Sequence, residues 1–122
     1  MNVEIRAIRN AGKLADERLV LKVLRGCDIG RYLTFDSTYT KDGKVSNLVR
    51  HPYWFPDKDV KAGDTVVLYT KDGRQSEKTN EDGSTSHFFY RRLDRTIWNQ
   101  SGDCAVVLEV STWATKGYED QQ

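Results

Sequence analysis

The sequence predicts an all-β chain folded as an antiparallel β-sandwich, and three observations carry that prediction. About seven short runs of strand composition recur at roughly 8 to 15-residue spacing, separated by clusters of Gly, Asn and Asp. Within those runs apolar and polar side chains alternate at the period of a strand. No run is followed by a helical crossover, which argues against a parallel α/β sheet.

Taken in order, Val3, Ile5 and Ala7 alternate with Glu4 and Arg6 as a half-buried first strand that ends in the turn Asn10-Ala11-Gly12-Lys13. Glu17 to Arg25 places Leu19, Leu21 and Val23 on one face. Val20, Leu21 and Leu24 would also share a helical face, but strict alternation and short length favour a strand. Gly26 to Gly30 is a break. Arg31 to Phe35 is a third strand with Leu33 and Phe35 expected inward.

Tyr39-Thr40-Lys41-Asp42-Gly43 recurs letter for letter as Tyr69-Thr70-Lys71-Asp72-Gly73, and is read as the same turn chemistry used at two strand ends. His51-Pro52-Tyr53-Trp54-Phe55-Pro56 is the densest aromatic segment, limited by its prolines to a short edge strand or an ordered loop. Ala62-Gly63-Asp64 launches the strand Thr65 to Tyr69. There Gly supplies a positive φ and Asp accepts bonds from amides at the strand start. The run from Gln75 to Ser86 is polar and reads as a mobile loop. Trp113 is expected to close the sandwich, with residues 1–115 forming one domain and 116–122 a flexible tail.

The chain is expected to organise around Ser86 to Val110. Phe88-Phe89-Tyr90 and the run from Cys104 to Val110 both have strand composition, and Asn99 to Asp103 between them is nearly all turn formers. The expectation is a pair of strands joined by a tight turn, with Trp98 packed across them. The predicted core is Leu19, Leu21, Val23, Val66, Leu68, Trp98, Val106 and Leu108.

A chain of 122 residues can bury a core without metals or disulfides. Lys and Arg total 19 against 18 Asp and Glu, a formal charge of +1, so no global field draws it to nucleic acid or acidic lipid; such binding would have to be local. The N-terminus lacks the pattern of a signal peptide and no apolar run approaches membrane-spanning length, so the expectation is a cytoplasmic protein without a membrane span. Cys27 and Cys104 make no disulfide framework, although a single bridge between them is conceivable.

The order Val3-Glu4-Ile5, the strand Glu17 to Val23, Phe55-Pro56-Asp57, Ala62-Gly63-Asp64-Thr65-Val66-Val67-Leu68 and finally Ile97-Trp98-Asn99-Gln100-Ser101-Gly102-Asp103 before a valine-rich strand resembles the lamin-tail domain. The Trp-Asn-x-Ser-Gly-Asp segment is its most telling piece. The resemblance implies an immunoglobulin-like sandwich of about seven to nine strands, acting as a non-catalytic module that binds protein, DNA or membrane-associated partners. Departures from the family include the very polar loop from Arg74 to Ser86, and Cys104 where Thr or Ala is more usual.

No catalytic constellation can be assembled. His51 and His87 lack a neighbour at metal-ligand spacing, Cys27 has no adjacent His or Lys to activate it, and no nucleophile elbow or phosphate loop occurs, so no metal and no cofactor is implied. The candidate partner-binding residues are Tyr53, Trp54, Arg91, Arg92 and Arg95. Tyr53 and Trp54 alternate faces, so one of them must point outward. Arg91, Arg92 and Arg95 are a local basic cluster suited to phosphate, although on a strand the first two point to opposite faces. The primary expectation is a module presenting loops and a sheet edge to a protein partner, with a homodimer through an edge strand also open. The alternatives are a nucleic-acid or phosphate binder through the three arginines and a carbohydrate-binding module using exposed tryptophans. Asn99-Gln100-Ser101 matches a glycosylation sequon but is read as turn chemistry.

Overall fold

The computed structural model describes residues 1–98 and 101–121. Its strands are β1 (Val3–Arg9), β2 (Arg18–Val23), β3 (Cys27–Asp28), β4 (Tyr32–Thr38), β5 (Arg50–Trp54), β6 (Asp59–Val60), β7 (Thr65–Tyr69), β8 (Ser76–Thr79), β9 (Thr85–Tyr90) and β10 (Asp103–Glu109). Short 310 turns at Ile29–Arg31 and Tyr118–Gln121 are the helical elements among the described residues. Among the described residues no helix is long and apolar enough to cross a membrane.

The chain is all-β, a sandwich of a five-stranded sheet ordered β1-β2-β7-β9-β8 and a three-stranded sheet ordered β10-β4-β5, with β3 and β6 forming a small third ladder. All pairs are antiparallel except β7 with β9, which run parallel. The parallel pair follows from the connection: β8 lies beyond β9, so the chain leaving β7 crosses the end of β9 before β8 and β9 fold as a hairpin. This also corrects the expectation for the polar run from Gln75 to Ser86, which contains β8 and the hairpin turn and is not a loop throughout.

The expected pairing of the aromatic strand with the valine-rich strand does not occur. β9 pairs with β7 and β8, whereas β10 pairs with β4 in the opposite sheet, so the segment from Arg91 onward carries the chain across the sandwich. Gly63 and Gly102 both take positive φ, 92° and 100°. The remainder of the predicted turn, Asn99 and Gln100, with the sequon, lies outside the described residues.

The core between the sheets is built from Val3, Leu19, Leu21, Val23, Ile29, Tyr32, Phe55, Val60, Val66, Leu68 and Phe89. Leu19, Leu21 and Val23 alternate inward as expected, and Trp98 is also buried. Three expectations are corrected by the register. Tyr32 and Thr34, not Leu33 and Phe35, face the space between the sheets: Tyr32 belongs to the buried cluster, and Thr34 is fully buried with its hydroxyl donating to the Val106 carbonyl, whereas Phe35, though buried, lies outside that cluster. Ala105 pairs with Asp36 and Val107 with Thr34, so these residues point inward and Val106 and Leu108 point out. In β1 a register shift between Ile5 and Ala7 sets Ala7 opposite Val20, on the outer face, and Ile8 opposite Leu19, although Ile5 and Ile8 at the sheet edge stay 42% and 37% exposed. β4 and β10 keep unbroken register with each other over seven pairs. The sequence alone leaves open which face of an apolar-on-both-sides strand meets the opposite sheet.

Glu17, at the entry to β2, is fully buried. Its carboxylate accepts hydrogen bonds from the Gly12, Ile97 and Trp98 amides and from the Thr70 hydroxyl, at 2.8, 2.9, 3.3 and 2.6 Å. One side chain thereby ties the first turn, the end of β7 and the cross-sheet segment together, and fixes where Trp98 enters the core.

Candidate partner-binding surface

The outer face of the three-stranded sheet is apolar and partly uncovered, with Trp54 and Leu108 exposed, Leu33 and Val106 half-buried and Phe35 buried. Leu33 pairs with both Trp54 and Leu108, and Phe35 with Val106, so these side chains share one face. Trp54 is 46% exposed and Leu108 44%. Trp113, 65% exposed, meets Trp54 edge-to-face with ring centroids 5.1 Å apart. Trp113 therefore extends this outer surface and does not close the sandwich as expected. The Trp54 indole N–H donates to the Gly30 carbonyl at 2.8 Å, which fixes the ring. Beside Phe35, exposed Val45, Leu48 and Val49 line a cavity of about 220 Å³.

The sheet edges differ in protection. β1 carries Glu4, Arg6 and Arg9 and a register shift. β8 is four residues long, exposed and charged. β5 holds Pro52, and its pairing to β4 is also shifted. These features deter the addition of another strand. β10 has seven residues in unbroken register with β4, no proline and an apolar centre, with charge only at its ends, Asp103 and Glu109.

No family model, curated protein or solved structure matches this chain.

The five residues singled out from sequence are dispersed. Trp54 faces outward. Tyr53 turns in, its ring edge-to-face with Phe55 at 5.1 Å, and burial raises the pKa of its phenol. Arg91 directly follows β9 and comes to lie close enough to Asp36, Tyr53 and Glu17 for their charges to act on it. It donates from Nη1 to the His51 carbonyl, and Nη2 is buried without a partner. Burial pulls its guanidinium down to about 10, opposed by Asp36, Tyr53 and Glu17, which leaves it charged at neutral pH. Arg92 takes a left-handed φ of 64° and donates to Asp72 at 2.7 Å. Arg95 is exposed, 3.8 Å from Asp94. The three arginines do not converge, because the strand ends at Tyr90 and the backbone turns between Arg91 and Arg92.

Two carboxylate–imidazole pairs escaped the sequence reading, one fully buried (Asp64–His87) and one in which a buried Asp36 meets an exposed His51. Asp36 accepts from His51 Nδ1 at 2.7 Å and pairs with Arg50 at 3.2 Å, and His51 itself has a φ of 51° immediately before Pro52. The His-Pro dipeptide inside a strand was the available signal. Asp64 pairs with His87 at 2.9 Å and also accepts the Lys61 and Thr85 amides. Burial works against its charge, yet these donors hold its carboxyl below the ordinary value of 3.8. Cys27 and Cys104 are both free, and burial raises both thiols, so neither is activated as a nucleophile.

Proposed function

We propose that this chain is a non-catalytic protein-binding module, an immunoglobulin-like sandwich of the kind the lamin-tail resemblance implies, which receives an extended segment of a partner protein along β10. The unprotected edge of β10 beside an apolar outer face is the observation that carries the reading. Main-chain bonds to the open edge supply affinity, and alternate side chains of the added strand reach Leu108 and Val106. Trp54 and Trp113 supply rigid anchors at one end of that face.

Charge argues for a foreign strand over a second copy. A symmetric antiparallel pairing centred on Val106 sets Asp103 of one copy against Glu109 of the other at both ends, and like charges directly opposite are destabilising. An apolar segment with basic flanks complements the same edge. A carbohydrate platform is less supported, since the edge-to-face indoles offer no flat double surface. The dispersed arginines withdraw support from a phosphate site built on Arg91, Arg92 and Arg95.

The test is selection from a displayed peptide library, followed by hydrogen exchange on the complex. Enriched peptides should alternate apolar residues between basic flanks and raise protection of the β10 amides. Leu108→Lys with Trp54→Ala should weaken binding about tenfold or more. Protection confined to another strand, or no enrichment over a scrambled library, would refute the reading; a concentration-dependent dimer protected at β10 would assign the edge to a second copy instead.

A further inference from the structure

The other outer face, on the five-stranded sheet, has a different chemistry. Register places three rows across it. Arg9, Arg18, Tyr69 and Tyr90 form the first. Ala7, Val20, Val67, Phe88 and Ser76 form the second. Glu4, Lys22, Thr65, Ser86 and Lys78 form the third. The three rows therefore carry the cations Arg9, Arg18, Lys22 and Lys78 against one carboxylate, Glu4, which is already held by Arg6 at 2.9 Å, while Asp82 in the turn between β8 and β9 lies close enough to Lys22 for their charges to interact. On a chain of net charge +1 that is a strong local segregation.

Between the cations stand half-exposed aromatic rings. Tyr69 and Tyr90 stack with centroids 5.3 Å apart and planes within 11°, and Phe88 lies 6.3 Å from Tyr69. Lys71 and Arg18 sit 4.9 and 5.8 Å from the Tyr69 ring centre, so positive charge lies over the aromatic surface itself. Past Tyr90 the face opens into a depression of about 540 Å³ that also includes Tyr53, Arg74, Gln75 and the Arg92–Asp72 ion pair. A solvated sheet face has no need of an aromatic centre ringed by cations. Unpaired bases need both parts, π surface for the bases and positive charge for the phosphates.

We propose that this face is a binding platform for single-stranded nucleic acid. Phe88 and Tyr69 offer stacking surface to bases, Lys22, Lys78 and Arg18 neutralise the backbone, and the depression beyond Tyr90 receives the strand end. The site is independent of β10, which belongs to the opposite sheet. Duplexes fit it poorly because their bases are already stacked.

The experiment is fluorescence anisotropy with labelled single-stranded 12-mers of DNA and RNA and a duplex of the same length. The expected result is preference for single strands, with affinity falling about tenfold between 50 and 200 mM salt. Lys22→Glu with Lys78→Glu should cost tenfold or more. Tyr69→Leu with Phe88→Leu, which removes the rings, should cost about tenfold in binding while the protein, somewhat less stable, still unfolds cooperatively above the assay temperature. Leu108→Lys, on the other sheet, should change nothing. Absence of binding at 50 mM salt, equal affinity for duplex and single strand, or indifference to the leucine variant in a folded protein would each overturn the proposal.

Discussion

Glu17 shows how much one buried side chain can organise. Its carboxylate satisfies three backbone amides and a hydroxyl that would otherwise be buried without partners. Glu17→Ala should therefore cost about 3–5 kcal/mol in urea unfolding, and Glu17→Gln less, since the amide keeps one acceptor. A loss under about 1 kcal/mol for the alanine variant would contradict this role. Gly73 makes a second case. The chain passing from β7 to β8 lies directly on Tyr90, and a Cβ at Gly73 would fall 2.4 Å from that ring. Gly73→Ala should cost about 1–3 kcal/mol, and most of that cost should vanish in a Tyr90→Ala background. Gly43, in the identical pentapeptide, needs glycine for another reason: its φ is 81° and the space beside it is open. The two matching segments do not share one turn chemistry, because one closes a local turn and the other crosses a neighbouring strand.

At the scale of elements, β10 is the informative strand. Its apolar residues lie on both faces, which in sequence reads as a strand buried on both sides. Only the inner face is covered by the opposite sheet. Neighbouring substitutions should therefore behave oppositely: Val107→Lys should destabilise by about 2 kcal/mol or more, and Leu108→Lys by less than about 0.5 kcal/mol. Equal effects in thermal unfolding would mean that the register is wrong. The same contrast separates stability from recognition, because Leu108 belongs to the proposed partner surface and Val107 to the core.

For the whole molecule, both sheets share one core, and Glu17 links them through the cross-sheet segment. Unfolding should accordingly be a single transition, with tryptophan fluorescence and far-ultraviolet circular dichroism coinciding through urea. Refolding should fall in the millisecond-to-second range, since both sheets pair strands distant in sequence. Separated transitions for the two probes would show that the three-stranded sheet opens by itself. The two outer faces divide the surface chemistry, apolar on the smaller sheet and basic with aromatic rings on the larger.

The sequence by itself determined the all-β class, the strands β2 and β7, the turn glycines and the outward placement of either Tyr53 or Trp54, because alternation and turn chemistry are local properties. It also carried every residue of the proposed sites. Only the tertiary structure decided that β9 and β10 part to opposite sheets, that Arg91, Arg92 and Arg95 disperse, and that Arg18, Tyr69, Phe88 and Lys78 gather on one face. Those outcomes depend on strand order and on which side of each strand meets the core. Both are set by contacts between segments far apart in the chain, to which a local pattern of apolar and polar residues is blind.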